Sequence, residues 1–114
     1  DAVILFEVLE HMTNAEELLS WAYRHALKAV IFSVPNTGFV MHRLRLLFGR
    51  FPLQWRAHPS EHLRFWTVGD MKWWLKKQDY KNYKIRLYEG VPILNLIWPS
   101  LFSQGMFVKI TVDK

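Results

Sequence analysis

The chain has 114 residues, of which 51% are hydrophobic and 16% aromatic. A chain of this length and apolar content can bury a core, which excludes an intrinsically disordered protein and allows at most one domain. It contains no Cys, which excludes a disulfide framework and a thiolate metal site. We therefore expect a compact protein in a reducing, cytoplasmic setting.

The positive charge of the chain, +5 in total, is concentrated in its middle. Residues 1–41 contain two Lys/Arg and five Asp/Glu, whereas residues 42–86 contain eleven Lys/Arg and three Asp/Glu. A basic surface attracts anionic partners such as nucleic acid, phosphate groups or a membrane surface. Such a charge distribution more often marks a solvated face, so an anionic partner for residues 42–86 is the alternative interpretation.

The first third of the chain contains a strand, a helix and a second strand. Residues 2–8 form an apolar run typical of a buried strand, and residues 29–34 form a second run rich in β-branched residues. Between them, Asn14 and Glu17 have the spacing of a capping box and begin a helix that ends near Ala26. Two strands joined by a helix form a βαβ unit, so the pattern predicts parallel pairing with a right-handed crossover.

The rest of the chain continues to alternate helices and strands. A helix is predicted over residues 39–48, and a second helix is capped by Thr67. Residues 83–88 and 106–112 alternate apolar and polar side chains as strands do. An apolar excursion, residues 91–105, precedes the last strand, and its Pro and Gly residues argue against a membrane-spanning helix. The element order predicts an α/β fold.

Three motifs follow one another along the chain: FEVLEHM at residues 6–12, VIFSVPN at residues 30–36 and HLRFWT at residues 62–67. This series resembles the second half of class I S-adenosylmethionine-dependent methyltransferases, particularly the methionine-biosynthesis and ubiquinone-biosynthesis groups. The resemblance implies a Rossmann-like three-layer sandwich whose antiparallel last strand is inserted beside the fifth strand. Residues 1–114 would then form a single, partial domain, the C-terminal half of a seven-stranded methyltransferase sheet.

Two parts of such a methyltransferase have no counterpart in the sequence. The five glycines are scattered, so they form no glycine-rich turn after a strand, and no acidic residue ends a second strand ahead of the motifs. The resemblance implies that both parts precede Asp1 and that the chain enters the fold at its fourth strand. The outer edge of residues 2–8 would then lack its neighbouring strand, so we expect self-association through this edge.

The resemblance also assigns candidate site residues. Open parallel sheets bind ligands beyond the carboxyl ends of their strands. After the first strand, the resemblance implies that Phe6, Glu7 and Val8 bind the cofactor, S-adenosylmethionine. Glu10 and His11 would stand at the methyl-transfer site as the catalytic residues, with His11 as a candidate base. The alternative is that both side chains only anchor the loop and cap backbone groups.

Two further positions are predicted to bind the methyl acceptor. Asn36 follows the second strand, and His62 lies just before the helix that Thr67 caps. His62 would line the acceptor pocket or bond a loop carbonyl. The sequence therefore predicts a methyltransferase whose acceptor, a small molecule or a macromolecule, is not specified.

A zinc hydrolase is a remote alternative, because residues 58–62, HPSEH, match the H-x-x-E-H pattern. Two His residues four apart on a helix share a face and can bind one metal ion. Pro59 allows a helix only to begin there, and no third ligand is evident nearby. We therefore expect no metal site.

A noncatalytic nucleic-acid-binding module is the second alternative, because Trp55, Trp66, Trp73 and Trp74 lie among basic residues. Bases would stack on the aromatic rings while Lys and Arg contact phosphates. Trp74, however, occupies a core position of the helix capped by Thr67, and large aromatic side chains usually belong to the core. The methyltransferase interpretation is therefore preferred.

Overall fold

The structure, a computed structural model, describes residues 1–50 and 63–113. A four-stranded sheet consists of β1 (Ala2–Phe6), β2 (Ala29–Pro35), β3 (Tyr83–Tyr88) and β4 (Gly105–Thr111). The helices of the described residues are α1 (Ala15–His25), α2 (Val40–Leu47), α3 (Val68–Lys77), α4 (Leu94–Ile97) and α5 (Pro99–Phe102), with a short 3-10 helix at Leu9–His11. These bounds agree with the predicted elements to within one or two residues at most ends.

The strands are ordered β1-β2-β4-β3 across the sheet. β1 and β2 pair in parallel, with Phe6 opposite Ser33, as the predicted βαβ unit requires. β4 runs antiparallel to both of its neighbours and separates β2 from β3. The α/β class and the antiparallel last strand inserted beside the fifth strand of the implied sheet are thereby confirmed.

The core lies on one face of the sheet, against α1 and α3. Apolar side chains of the two helices pack there on alternate residues of the central strands. The buried cluster includes Leu19 and Ala22 of α1, Met71 and Leu75 of α3, and Phe32, Val34 and Val108 of the sheet. This packing explains why α1 and α3 carry apolar residues at helical spacing.

The opposite face of the sheet is open at β1. The sequence predicted a buried strand here, but Ile4 and Phe6 are 56% and 52% exposed. Val3 and Leu5, which alternate with them, pack against the core cluster. Because successive side chains of a strand point to opposite faces, a run that is apolar throughout has one uncovered row when only one face is packed.

The two helix caps predicted from the sequence differ in outcome. Thr67 caps α3 as predicted, since its hydroxyl accepts a hydrogen bond from the Asp70 N–H at 3.1 Å. Asn14 does occupy the N-cap position of α1, but its side chain makes no capping hydrogen bond. Its ψ of 52° lies outside the extended region from which a side chain reaches the first-turn N–H groups, so the predicted capping box does not form.

Within the described ranges, every helix is too short or too polar to cross a membrane. The apolar excursion folds instead into the two single-turn helices α4 and α5 between β3 and β4. Its two ends meet at Gly90, where an added Cβ would lie 2.0 Å from the carbonyl oxygen of Phe102. Gly90 also has a φ of +107°, so glycine is required there for both reasons.

Candidate functional site

The carboxyl ends of β1 and β2 meet at one edge of the sheet because the two strands are parallel. Glu7 follows β1 and Asn36 follows β2 at this edge. β4 begins at the same edge with Gly105, and β3 ends there with Tyr88, its register partner. The edge therefore brings together most of the described residues that the sequence assigned to a site.

Glu7 turns the chain away from the sheet, with a φ of 55° that is uncommon for a residue other than glycine. Its N–H donates to the backbone oxygen of Ser33 at 3.2 Å and to the Ser33 hydroxyl at 3.1 Å. Its side chain is exposed and accepts a hydrogen bond from the Tyr88 hydroxyl at 3.1 Å. The backbone of Glu7 is thus fixed while its carboxylate lies at the open edge.

Tyr88 is a site residue that the sequence analysis did not identify. Burial, followed by the negative charge of Glu7, raises the pKa of Tyr88 well above its usual value, so the hydroxyl stays protonated and donates. The ring lies over Gly105, where an added Cβ would come within 2.3 Å of it. The sequence has a Tyr at the end of one predicted strand and a Gly at the start of another. That these two residues pair could be recognised only from the strand register in the structure.

Glu10 lies in the 3-10 helix, and its side chain is completely buried. Neither carboxyl oxygen has a hydrogen-bond partner among the described residues. Burial, and then the neighbouring Glu7 carboxyl, raises the pKa of Glu10 to about 8. Glu10 is therefore protonated at neutral pH and loses its proton only in mildly alkaline solution, whereas His11, the next residue, is exposed.

The backbone of Glu10 also positions the segment that precedes α3. Its carbonyl oxygen accepts hydrogen bonds from the N–H groups of Leu63 and Arg64, at 2.7 and 3.0 Å. The Arg64 guanidinium binds both carboxylate oxygens of Glu16 at 2.6 Å and the carbonyl of Thr13 at 2.6 Å. The loop after β1 and the start of α3 are thereby held together.

Glu16 of α1 accepts hydrogen bonds from two side chains, those of Arg64 and Trp74. Besides Arg64, it accepts a hydrogen bond from the indole N–H of Trp74 at 2.7 Å. The Arg64 hydrogen bonds, with a smaller contribution from Trp74, lower the pKa of Glu16 to about 2. Trp74 and its neighbour Trp66 are buried, with ring centroids 4.9 Å apart, so neither ring is available to stack on bases. Trp55 lies outside the described residues.

Asn36 is buried, and all its polar groups have partners within the protein. Its side-chain NH₂ donates to the carbonyl oxygens of Ser100 and Ser103 at 2.9 and 2.8 Å, and its side-chain oxygen accepts from the Gly38 N–H at 3.0 Å. Its backbone N–H donates to Gln104 at 2.7 Å. Asn36 thus ties the loop after β2 to the end of the apolar excursion, and its predicted acceptor-binding role stays a prediction.

The remaining predicted positions, His62 and the HPSEH motif at residues 58–62, lie outside the residues that the structure describes. Within residues 1–50 and 63–113, no group of three or more His, Cys, Asp or Glu is arranged to hold a metal ion. The expectation of no metal site stays a prediction.

Two cavities among the described residues lie away from the strand ends. A cavity of about 600 Å³ lies along α1, lined by residues such as Met12, Glu16 and Trp21. Another of about 490 Å³ lies between α3, β3 and the excursion, with Val68, Ile85 and Leu96 in its lining. Neither of these two cavities is lined by Glu7, Glu10 or Asn36.

A comparison with known protein families identifies the domain that contains this edge. A family model described as a methyltransferase domain matches residues 1–85, which include β1, β2 and the loops that follow them. The chain belongs to this family of methyltransferase domains. The predicted resemblance to class I S-adenosylmethionine-dependent methyltransferases is therefore confirmed.

Solved structures share the fold of this methyltransferase domain. An S-adenosylmethionine-dependent methyltransferase from Archaeoglobus fulgidus aligns with a TM-score of 0.59 and 15% identity, over 97% of this chain and 58% of that one. The small RNA methyltransferase HEN1 aligns with a TM-score of 0.57 and 26% identity, over 100% of this chain and 14% of that one. The chain thus spans only part of each relative. A comparison with curated proteins found no match.

Proposed function

We propose that this protein transfers a methyl group from S-adenosylmethionine to an acceptor, and that the loops after β1 and β2 form part of the site. The family match over residues 1–85 carries the proposal, because it contains both loops. The position of these loops supports it, since open parallel sheets bind ligands beyond the carboxyl ends of their strands.

The residues at the strand ends fit one end of the cofactor. S-adenosylmethionine has a cationic sulfonium and an ammonium group, both of which favour neighbouring carboxylates. The exposed Glu7 carboxylate provides such a group, whereas Glu10 is buried and protonated at neutral pH and provides no charge there. Phe6, Glu7 and Val8 are therefore the proposed contacts to the methionine end of the cofactor.

The cofactor supplies an activated methyl group, so the protein has chiefly to orient the acceptor in line with it. In this proposal, Asn36 fixes the loop after β2 beside the acceptor, and His62 contributes to the acceptor pocket. Glu10 and His11 are the proposed catalytic residues, and either can accept a proton when the acceptor carries one. A pKa of about 8 makes Glu10 a proton acceptor only in mildly alkaline solution. His11 is the proposed base.

The acceptor class and cellular setting stay predictions of the sequence. The acceptor is a small molecule or a macromolecule, and the cytoplasm is the proposed location. An anionic partner for residues 42–86 is supported by exposed basic side chains of that region, among them Arg43, Lys72 and Lys84.

Self-association through β1 is also proposed. β1 is an end strand of the four-stranded sheet, and in the described residues it pairs only with β2. An apolar end strand without Pro or Lys presents unpaired N–H and C=O groups on which another chain can pair. Two copies pairing around a two-fold axis, with Val3 and Leu5 near the contact, would satisfy both edges.

Sedimentation velocity at high micromolar concentration tests this self-association. The wild-type chain is expected to sediment as a dimer or larger species. Ile4→Lys places a charge on the exposed row of the strand and is expected to shift the chain to monomer, because charged end strands resist pairing. A monomeric wild-type chain whose β1 amides exchange slowly would show that β1 is not an open edge.

Calorimetric titration with S-adenosylmethionine tests the proposed activity. The comparison uses this chain and a longer polypeptide that includes any residues its gene encodes before Asp1. The longer polypeptide is expected to bind S-adenosylmethionine at least about tenfold more tightly. Additional contacts that contribute about 1.4 kcal/mol of binding free energy lower the Kd tenfold. Equally tight binding by this chain alone would place the cofactor elsewhere on it.

A further inference from the structure

The helix α2 exposes its apolar side chains instead of burying them. Met41, Leu44 and Phe48 recur at spacings of three and four residues, and Leu47 lies beside them, so they form one stripe. All four are exposed, with Leu47 and Phe48 at 75% and 78%. A surface helix of a globular protein normally turns such a stripe toward the core.

The side of α2 that faces the protein carries a His residue. His42 is buried, and its ring packs edge-on against Phe39 with centroids 5.5 Å apart. Burial, and then the charge of Arg45, lowers the pKa of His42, which favours a neutral ring. The buried side of α2 therefore carries His42, whereas its apolar stripe is exposed.

The charged residues of α2 and of the turn that follows it are all Arg. At about 100° per residue, Arg43 and Arg45 lie on opposite flanks of the stripe, and Arg50 follows the helix. No Asp or Glu occurs between Glu17 and Glu61 in the sequence. An apolar stripe flanked by Arg, on a helix that itself carries no acidic residue, has the pattern of helices that lie in a membrane interface.

A second apolar projection begins beside α2. Leu96 and Ile97 of α4 are 82% and 74% exposed, and Ile93 and Trp98 on either side are also exposed. The segment from Val91 to Val108 contains no charged residue. The end of this excursion is held by Asn36 through the Ser100 and Ser103 carbonyls, only a few residues before α2 begins. Both projections therefore start from the same edge of the sheet.

We propose that α2, together with the exposed tip at residues 93–98, docks this protein onto an anionic phospholipid surface. The Leu, Met and Phe side chains would enter the boundary between headgroups and acyl chains, while the Arg side chains pair with lipid phosphates. Nucleic acid would engage the Arg residues but leave the aliphatic side chains in water, so the apolar stripe favours a lipid surface. The docking is independent of the proposed methyl transfer.

Vesicle co-sedimentation tests this proposal. The chain is mixed with vesicles of phosphatidylcholine alone or of phosphatidylcholine with phosphatidylglycerol. Binding is expected only to the phosphatidylglycerol vesicles, and raising the salt concentration should weaken it because lipid attraction to Arg is screened. The double variant Leu47→Ser/Phe48→Ser should lower the bound fraction at least about fivefold, since both side chains would otherwise be buried in the interface.

Leu27→Ser is the matched control, because Leu27 is also 70% exposed but lies at the amino end of β2, away from the strand-end edge. It should bind vesicles as the wild type does. Three results would overturn the proposal: no binding to phosphatidylglycerol vesicles, equal loss of binding in both variants, or binding of an RNA oligonucleotide that the double Ser variant abolishes. A vesicle-free dimer that the double Ser variant converts to monomer would instead assign α2 to a contact between copies.

Discussion

The variant Asn36→Ala is expected to unfold with a free energy about 2–4 kcal/mol lower than that of the wild type. Asn36 is fully buried and satisfies the carbonyls of Ser100 and Ser103 and the N–H of Gly38. Truncation to Ala leaves these backbone groups without partners, and each unsatisfied buried group costs on the order of 1–3 kcal/mol. Solvent entering the loop would recover part of that loss.

Asn95→Ala is the matched control for this measurement. Asn95 also donates a side-chain hydrogen bond to a backbone carbonyl, that of Glu89 at 3.2 Å, but this bond is exposed. Its loss is expected to change the free energy of unfolding by less than about 1 kcal/mol. Urea denaturation of both variants measures the difference. Equal effects of the two substitutions would show that Asn36 does not hold the excursion to the loop after β2.

Relative to the variant Glu10→Gln, the wild-type protein is expected to lose stability as the pH rises from 4.5 to about 8. The pKa of Glu10 is raised to about 8 in the folded state, whereas an unfolded chain has the ordinary value of 4.5. Between these values the folded state retains a proton that the unfolded state has released. Stability therefore decreases with pH, by at most about 1.4 kcal/mol per unit for this group.

Glu10→Gln has a neutral side chain at every pH, so it lacks the contribution of this group. His42, whose pKa is lowered by burial, adds the same rise of stability with pH to both proteins below its ordinary value of 6.5. The buried amide lacks partners as the protonated carboxyl does. The two proteins are therefore expected to have similar stability near pH 5, and the variant should be the more stable one near pH 8.

Denaturant unfolding at a series of pH values measures both curves, with Glu17→Gln, a substitution at an exposed position, as the control. Glu16 does not interfere, because its pKa is lowered to about 2. The stability that it contributes is complete above pH 4.5 and is lost only as the pH falls toward 2. Parallel curves for Glu10→Gln and the wild type would contradict the buried, protonated state of Glu10.

Local patterns predicted the helices and strands well. The hydroxyl of Thr67, followed by Met71, Trp74 and Leu75 at helical spacing, marks both the start and the buried face of α3, because capping and amphipathicity act within a few residues. The place of β4 within the sheet came from the family resemblance, since its pairing with β2 joins distant parts of the chain.

The contacts that build the candidate site were not predictable in this way. Arg64 and Glu16 are 48 residues apart, and Asn36 and Ser103 are 67 apart. No periodicity or motif records such a pairing, because it depends on how the elements pack. The Asn14 capping box shows the converse case, in which a correct local spacing is not realised because the backbone of Asn14 takes another conformation.

The most direct test of the account is to follow the amide signals of the longer polypeptide by NMR during titration with S-adenosylmethionine. If the cofactor binds beyond the carboxyl end of β1, the largest shifts should occur at Phe6, Glu7 and Val8. Leu27 and Lys28, at the opposite end of the sheet, should be unaffected. Shifts concentrated at Leu27 and Lys28, or saturable binding that leaves residues 6–8 unchanged, would contradict the proposed site.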